Sequence, residues 1–346
     1  MSYQTELKQM MDMSLAVGTR ADYTQGGGGN TSVKLDGDLM AIKASGYRLC
    51  DVTETEGYVT VKYNDVANYY RSVDLSQSKD FETESVQIAK DSVSKLPGMK
   101  DLRPSVEVGF HSVMEKYVLH THTVYGNLLA CTVQGEALAG EIFAGADYGF
   151  IWLPYITPGF TLTLEIDRAL TAYRAKHGRP AEVVFMQNHG LVVHSGGYDR
   201  VLWLHEDVNS RIRQRFSLAD NAMGDVDIKE DGADTYVSVS KIVLDYLAEN
   251  ELSIVKLDEV PLYPDQLVYL NNTVRLNPDK MVIGAGTVRY NASYKESLTL
   301  EQTLAAFIFI VKTLRELKLP ISVMGAEDVN FINNWEVEKF RRSVAK

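Results

Sequence analysis

The chain has 346 residues, 45% of them hydrophobic and 23% charged, which is typical of a globular protein with one large domain or two of ordinary size. Its formal net charge of -11 argues against nucleic-acid binding, which needs a basic surface. The 2 cysteines provide no disulfide framework, and neither a membrane-spanning apolar run nor a signal-peptide pattern is evident. We therefore expect a cytoplasmic protein that binds neither membranes nor nucleic acid.

Helical and strand patterns alternate along the first two thirds of the chain. Apolar residues at helical spacing predict a helix over residues 5–18, and an Asp36-Gly37 turn between two alternating stretches predicts a β-hairpin over residues 31–44. The later predicted helices cover residues 65–71, 84–94, 104–116, 162–177 and a segment from 198, and the later predicted strands cover 58–61, 117–121, 182–186 and 191–193. Interleaved helices and strands of this kind predict an α/β class.

A glycine-rich loop, residues 25–32, separates the first predicted helix from the hairpin. Four consecutive glycines allow the backbone to approach a ligand closely, and the N–H groups of such a loop can hold a phosphate or a carboxylate. The loop lacks the Gly-Lys-Ser/Thr of a P-loop and does not follow a strand, so it is not a nucleotide fingerprint. A flexible connector is the alternative interpretation.

Histidines form the most informative pattern in the chain. His120 and His122 lie one residue apart on a predicted strand, so their imidazoles project from the same face. Such a pair can hold a transition metal, and a third histidine from elsewhere would complete a set that leaves one position open for substrate. A His-x-His pair taken alone is more often hydrogen-bonded or packed in the core than metal-binding.

Two further features accompany this pair. His189 lies in a second short motif, Asn188-His189-Gly190, between two apolar strands. Glu107 lies close upstream of the pair and is interpreted as a general base or a displaceable fourth ligand. His111 follows Glu107 by four residues on the same predicted helix, and we interpret it as an orienting or packing residue. This combination of donors indicates an enzyme.

Three small polar positions are candidate anion donors. Ser45 and Gly46 end the hairpin and offer a hydroxyl and an N–H group. Ser105 lies at the predicted start of a helix, where unpaired N–H groups favour anions.

The composition changes near residues 218–235, where Asp, Glu and Gly cluster. We place a boundary there, which divides the chain into a domain of residues 1–218 and a C-terminal extension of residues 219–346. Predicted helices over residues 237–247, 300–314 and 334–342 indicate that the extension is smaller and mainly helical. Its apolar helix faces predict packing on the first domain or on a neighbouring subunit.

Five motifs in register resemble the class II aldolase/adducin family over residues 5–215. In chain order they are Gly29-Asn30-Thr31-Ser32, Ala44-Ser45-Gly46, Pro104-Ser105-Val106-Glu107, His120-Thr121-His122 and Asn188-His189-Gly190. The resemblance implies a three-layer α/β/α domain around a mostly antiparallel sheet. It also implies a homo-oligomer, commonly a tetramer with active sites at subunit interfaces.

The resemblance further implies a role for each matching residue. His120, His122 and His189 would bind Zn²⁺ or a similar divalent ion, and Glu107 would act as the acid/base. The positions that would hold a substrate phosphate are Asn30, Ser45, Gly46 and Ser105. The implied reaction is the aldol cleavage of a small sugar or sugar phosphate through a metal-stabilised enediolate, and the apolar residues beside Glu107 lead us to expect a raised pKa for its carboxyl group.

One departure leaves the substrate open. Family aldolases have two successive serines before the glutamate, whereas the second position here is Val106. A phosphate that loses a hydroxyl donor loses about 1.5–3 kcal/mol of hydrogen bonding, so the substrate is either held differently or not phosphorylated. A sugar-phosphate 4-epimerase, a decarboxylase and a non-catalytic adducin-like binding protein are the alternatives, of which the last is disfavoured because all three histidines and Glu107 are present.

Overall fold

Seven strands form the main sheet of the protein. The computed structural model describes residues 3–284 and 286–334. In the order in which they lie side by side, the strands are β3 (Tyr58–Lys62), β2 (Leu39–Lys43), β1 (Asn30–Lys34), β4 (Tyr117–Thr121), β7 (Gly190–Ser195), β6 (Val183–Met186) and β5 (Phe150–Leu153). Neighbouring strands are antiparallel except for β5 and β6. The predicted α/β class and mostly antiparallel sheet are confirmed, although β5 is too short to show a periodic pattern and was not predicted.

Helices cover both faces of this sheet. They are α1 (Gln4–Gly18), α2 (Tyr63–Ser72), α3 (Phe81–Asp91), α4 (Val108–Val113), α5 (Val124–Ala130), α6 (Gly135–Ile142), α7 (Phe160–His177) and α8 (Tyr198–Arg215). Successive residues of β4 point to opposite faces, as strand geometry requires. Leu119 therefore belongs to the apolar cluster that includes α1, α5 and α8, whereas Val118 packs with Phe110 and with Leu162 of α7.

Helix α4 is shorter than predicted. The sequence predicted a helix over residues 104–116, but Pro104 pairs with Ala44 in an isolated antiparallel bridge, and that pairing keeps the backbone extended. Glu107 is the N-cap residue, and the helix runs only from Val108 to Val113. Glu107 therefore precedes the helix, at the point where the chain turns towards the sheet.

The described part of the extension is mainly helical, as predicted, and it also contains a second sheet that was not predicted. Four antiparallel strands lie in the order β10 (Met281–Gly284), β11 (Thr287–Asn291), β9 (Thr235–Ser238) and β8 (Ile228–Gly232). The sequence of β8 is polar and exposed after Ile228, so it lacks the alternation that marks a strand. The helices of the extension are α9 (Lys241–Glu249), α10 (Ile254–Asp258), a π-helical turn (Gln266–Asn271), α11 (Asn272–Leu276), α12 (Tyr294–Glu316) and α13 (Ala326–Asn334). The helix predicted over residues 334–342 lies, beyond Asn334, outside the described residues.

Helix α12 joins the extension to the first domain. It is long and apolar enough to cross a membrane by length and composition alone, but 89% of its apolar window is buried inside the fold, which is typical of a core helix. Leu304 and Phe309 of α12 belong to the same apolar cluster as Tyr125 of α5, and the rings of Phe309 and Tyr125 meet edge to face. The predicted packing of the extension on the first domain is therefore observed, and the division at residue 218 stays a prediction.

His194 makes stability depend on pH. The His194 side chain is 2% exposed, its Nδ1 accepts the Glu115 N–H, and burial, with Lys34 and Arg174 nearby, lowers the pKa of the imidazole to about 3. The unfolded chain takes up this proton near pH 6.5, so stability is lost as the pH falls below that value. Between pH 7.5 and 5.0 the wild type should lose about 2 kcal/mol more unfolding free energy than His194→Gln. Urea unfolding at both pH values measures this difference, and equal losses would contradict it.

Candidate metal centre

The middle of the main sheet positions the histidines. Within β4, His120 lies opposite Asn30 of β1 on one side and Val192 of β7 on the other. His122 follows the end of β4 and remains on the same side of the sheet as His120. His189 lies in the turn between β6 and β7, where Asn188 adopts a left-handed conformation with φ 51°. The two motifs meet because β4 and β7 are neighbours.

The three histidines form one buried cluster. The exposed fractions of His120, His122 and His189 are 0%, 3% and 2%. Their nearest ligand atoms all lie within 4.8 Å of one another, and the Nε2 atoms of His120 and His122 are 3.0 Å apart. Two nitrogens bound to one tetrahedral zinc ion are about 3.3 Å apart. The spacing therefore matches a shared metal ligand set.

Hydrogen bonds at Nδ1 fix the tautomer that two of the histidines adopt when neutral. Nδ1–H of His120 donates to the Leu191 carbonyl at 3.0 Å, and Nδ1–H of His122 donates to Asp265 Oδ2 at 2.8 Å. A histidine that binds a metal is neutral and carries one proton, so in the metal-binding state both Nε2 atoms present lone pairs to the same point. Two facing lone pairs at this distance repel unless a cation lies between them. The donor set therefore fits a divalent metal ion.

Glu107 places a carboxylate beside the Nε2 atoms of the histidine cluster. Its Oε1 lies 3.3 Å from His120 Nε2 and 3.6 Å from His189 Nε2. Burial alone would raise the pKa of Glu107, but His120 and His189 more than offset this effect and hold the pKa well below its ordinary value. The expected raised pKa is thus wrong, because the carboxyl group faces two imidazoles, whereas Val108 packs into a separate apolar cluster.

Asn30 also reaches this carboxylate. Its side-chain Nδ2 donates to Glu107 Oε2 at 3.2 Å, so Asn30 lies at the metal centre. Asn30 is 1% exposed and belongs to β1, whose pairing with β4 fixes its position. Its predicted role in anion binding stays a prediction.

Ser45 and Ser105 lie together beside Glu107. The Ser45 N–H donates to the Arg103 carbonyl, and the Glu107 N–H donates to Ser105 Oγ at 3.2 Å. Gly46 follows Ser45 with φ +84°, a left-handed conformation that glycine adopts without strain. The bridge between Ala44 and Pro104 thus brings the second and third sequence motifs together.

A cavity of about 160 Å³ opens at these serines. Its polar lining comprises Ser45, Tyr70, Glu82, Ser85, Lys90, Arg103 and Ser105. Two basic side chains and several hydroxyl groups therefore line a cavity that also includes residues 103–106, directly before Glu107.

His111 lies outside this ligand set. Its Nδ1 is 2.7 Å from Ser32 Oγ, its ring stacks on Phe110, and burial lowers the pKa of the imidazole to about 3. The packing interpretation of His111 agrees with these contacts.

Two residues of the extension reach the centre and were missed by the sequence analysis. Asp265 contacts His122 as described above, and the Tyr263 ring lies 6.3 Å from the His122 ring, centroid to centroid. Both side chains are buried, at 1% and 0% exposure. A single aspartate among 46 acidic residues, 143 positions from its partner, leaves no signal in a sequence pattern.

Comparison with known proteins agrees with this geometry. The family model described as class II aldolase and adducin N-terminal domain matches residues 8–215. The chain belongs to this family. The buried cluster of His120, His122 and His189 suggests a metal site typical of class II aldolases, and the match ends at the C-terminal end of α8.

Individual relatives are distant. The protein YuxG of Bacillus subtilis, named an uncharacterized oxidoreductase, is 28% identical over 195 residues, which are 54% of this chain and 26% of the relative. The chain thus matches about a quarter of the length of that relative. The N-terminal class II aldolase domain of a conserved protein from Thermoplasma acidophilum is 22% identical, with a TM-score of 0.51 over 62% of this chain and 95% of that chain. An aldolase II superfamily protein from Pseudomonas syringae is 13% identical, with a TM-score of 0.45 over 63% and 77% of the two chains. At these identities the structural likeness shows the fold alone.

Proposed function

We propose that this protein is a metal-dependent aldolase that cleaves a carbon–carbon bond in a small sugar or sugar phosphate. The observation that carries the proposal is the convergence of three imidazoles and the Glu107 carboxylate on one point. A binding protein without catalysis has no use for a set of three ligands that leaves a position open.

His120, His122 and His189 would hold the metal, and zinc suits three imidazoles with an adjacent carboxylate. When bound, such an ion supplies Lewis-acid polarisation of a substrate carbonyl and its neighbouring hydroxyl. The surrounding burial excludes bulk water, which strengthens every charge interaction at the site.

Glu107 would carry the proton. In the condensation direction its carboxylate would accept a proton from the substrate carbon, and in the cleavage direction it would return that proton. Asn30 holds Glu107 Oε2, so Oε1 remains directed at the histidines. Asn30 thus fixes which carboxylate oxygen exchanges the proton.

The cavity beside Ser105 would take the far end of the substrate. Lys90 and Arg103 supply positive charge there, which the single carboxylate of Glu82 offsets only in part, and Ser45 and Ser105 supply hydroxyl groups. Val106, which also lines the cavity, has no hydroxyl to offer. These features fit an anionic or hydroxyl-rich substrate end that is bound by side-chain cations more than by serine hydroxyls.

A cleavage assay tests the proposal. Zinc-loaded protein would be incubated with a panel of ketose 1-phosphates and free ketoses, and release of dihydroxyacetone phosphate or of an aldehyde would be measured. Chelated protein and Glu107→Gln are the controls. Release that requires both metal and Glu107 supports the aldolase and identifies its substrate class.

Zinc binding without cleavage is the outcome that contradicts the proposal. Zinc that binds stoichiometrically without cleavage of any compound in the panel would overturn the aldolase. Epimerisation or decarboxylation on the same ligand set would then be assayed with sugar phosphates and sugar acids.

A further inference from the structure

The C-terminal extension makes a direct contact with a histidine of the metal centre. Asp265 Oδ2 accepts the His122 Nδ1–H at 2.8 Å, and both side chains are almost completely buried. Asp265 lies 50 residues beyond the end of the family match at residue 215. The carboxylate is therefore supplied by a part of the chain that the family domain does not include.

The glycine-rich loop lies directly against this contact. A Cβ atom at Gly28 would overlap Asp265 Oδ2 and would lie 3.1 Å from His122 Nδ1. A Cβ atom at Gly27 would lie 2.6 Å from the Tyr269 hydroxyl, and the Gly26 N–H donates to Gln302 Oε1 at 3.1 Å. Glycines at these positions let the extension approach the histidines closely.

The extension also holds the second histidine motif. The Asn188 amide Nδ2 donates to the Leu262 carbonyl at 2.8 Å and to the Ser322 carbonyl at 2.9 Å. Ser322 Oγ donates in return to Asn188 Oδ1 at 2.9 Å. Asn188 occupies the left-handed conformation immediately before His189, so these bonds stabilise the turn that presents His189.

Internal hydrogen bonds hold the contacting segment in place. The Leu262 N–H donates to Gln266 Oε1 at 2.7 Å, and Gln266 Nε2 donates to the Val260 carbonyl at 3.0 Å. All five residues of the segment 262–266 are buried. Because these hydrogen bonds form within the segment, they hold Asp265 in one orientation.

We propose that residues 262–266 of the extension are part of the metal centre, with Asp265 as a positioning residue that fixes His122 for the metal. This inference rests on the proposed metal site. A carboxylate behind a ligating histidine holds its tautomer and ring orientation and makes the nitrogen a stronger ligand. Leu262 and Ser322, through their hydrogen bonds with Asn188, likewise hold the turn that carries His189.

The substitution Asp265→Asn removes the negative charge of the side chain and keeps its shape. An asparagine fills the same space beneath Gly28, but its amide can rotate to donate to His122 Nδ1 instead of accepting from it. That rotation permits the other tautomer, in which a proton occupies Nε2 and blocks metal binding. Loss of the carboxylate charge also weakens the ligand, and such outer partners typically contribute 10–100-fold in metal affinity.

Zinc affinity of the metal-free proteins tests the role of Asp265. Wild type, Asp265→Asn and the control Asp258→Asn would each compete for zinc with a chromophoric chelator. Asp258 belongs to the same part of the extension, where it bonds Asn271 and Arg275, so the control makes the same change away from the histidines. We expect Asp265→Asn to bind zinc about 10–100-fold more weakly than the wild type, with Asp258→Asn within about threefold of it.

Urea unfolding of the metal-free proteins distinguishes positioning from stability alone. A lower unfolding midpoint for Asp265→Asn, with zinc affinity within threefold of the wild type, would overturn the proposed role. A wild type that takes up no zinc would overturn the metal site itself, and the role of Asp265 with it. Zinc binding by the wild type that is weakened only in Asp265→Asn supports both.

Discussion

Glu107→Gln should lower kcat by roughly 10²–10⁴ while zinc remains bound. The substitution keeps the shape of the side chain and its bond with Asn30, but it removes the oxygen that can accept a proton 3.3 Å from His120 Nε2. The three histidines are unchanged, so the metal stays. Steady-state kinetics on the substrate found by the cleavage panel, together with metal content by atomic emission, measure both quantities.

Glu301→Gln is the matched control for this experiment. Glu301 is a buried carboxylate of α12 that bonds Ser238 at 2.6 Å and also bonds Tyr290, and both of these partners belong to the second sheet. The control should lower the unfolding free energy and leave kcat within about twofold of the wild type, because the bonds of Glu301 are to the second sheet and not to the metal ligands. Turnover of Glu107→Gln at the wild-type rate would remove Glu107 from the mechanism.

The histidine cluster could be predicted because its information is local. Two imidazoles at strand spacing share a face, and the apolar runs around them indicate the strands. Glu107 was found for the same reason, since it lies 13 residues before His120 in a recognisable motif. Its protonation was predicted wrongly, because sequence neighbours such as Val106 and Val108 do not report which charged groups face a side chain across the fold.

The contribution of the extension could not be predicted. Leu262 and Ser322 contact the site from loops, and Asp265 contacts it from the irregular first turn of a helical segment, so none of the three belongs to a recognisable pattern. The glycine-rich loop shows the same limit: its four glycines predicted either an anion cradle or a flexible connector, and the structure places Gly26 and Gly28 beneath α12 and Asp265. The glycines indicate that another part of the protein or a ligand approaches the backbone closely, but the sequence does not show which group this is.

The small sheet of the extension was missed for an energetic reason. Its outer strand β8 buries only Ile228, so little apolar surface is removed from water and no alternation is needed. Pairing with β9 supplies the hydrogen bonds of β8 instead. Such strands depend on tertiary context, which overrides local propensity.

His189→Ala should abolish stoichiometric zinc binding and, with it, the stabilisation that zinc confers. A ligand that binds only the folded state adds about 4 kcal/mol to the unfolding free energy at a thousandfold excess over its Kd. The wild type should therefore unfold at a clearly higher urea concentration with zinc than without, and His189→Ala should show no such difference. Activity in the cleavage assay should fall with the metal.

His205→Ala is the matched control for the metal site. His205 is equally buried, and its Nε2 bonds Thr121 Oγ1 at 2.9 Å, on the other side of β4 from the metal ligands. Removal of this imidazole should destabilise the metal-free protein, because Thr121 loses its partner, yet zinc should still raise its unfolding midpoint as in the wild type. A zinc-dependent shift that survives in His189→Ala would show that the metal binds elsewhere. Loss of the shift in both variants would show instead that general destabilisation, and not a missing ligand, removes the metal.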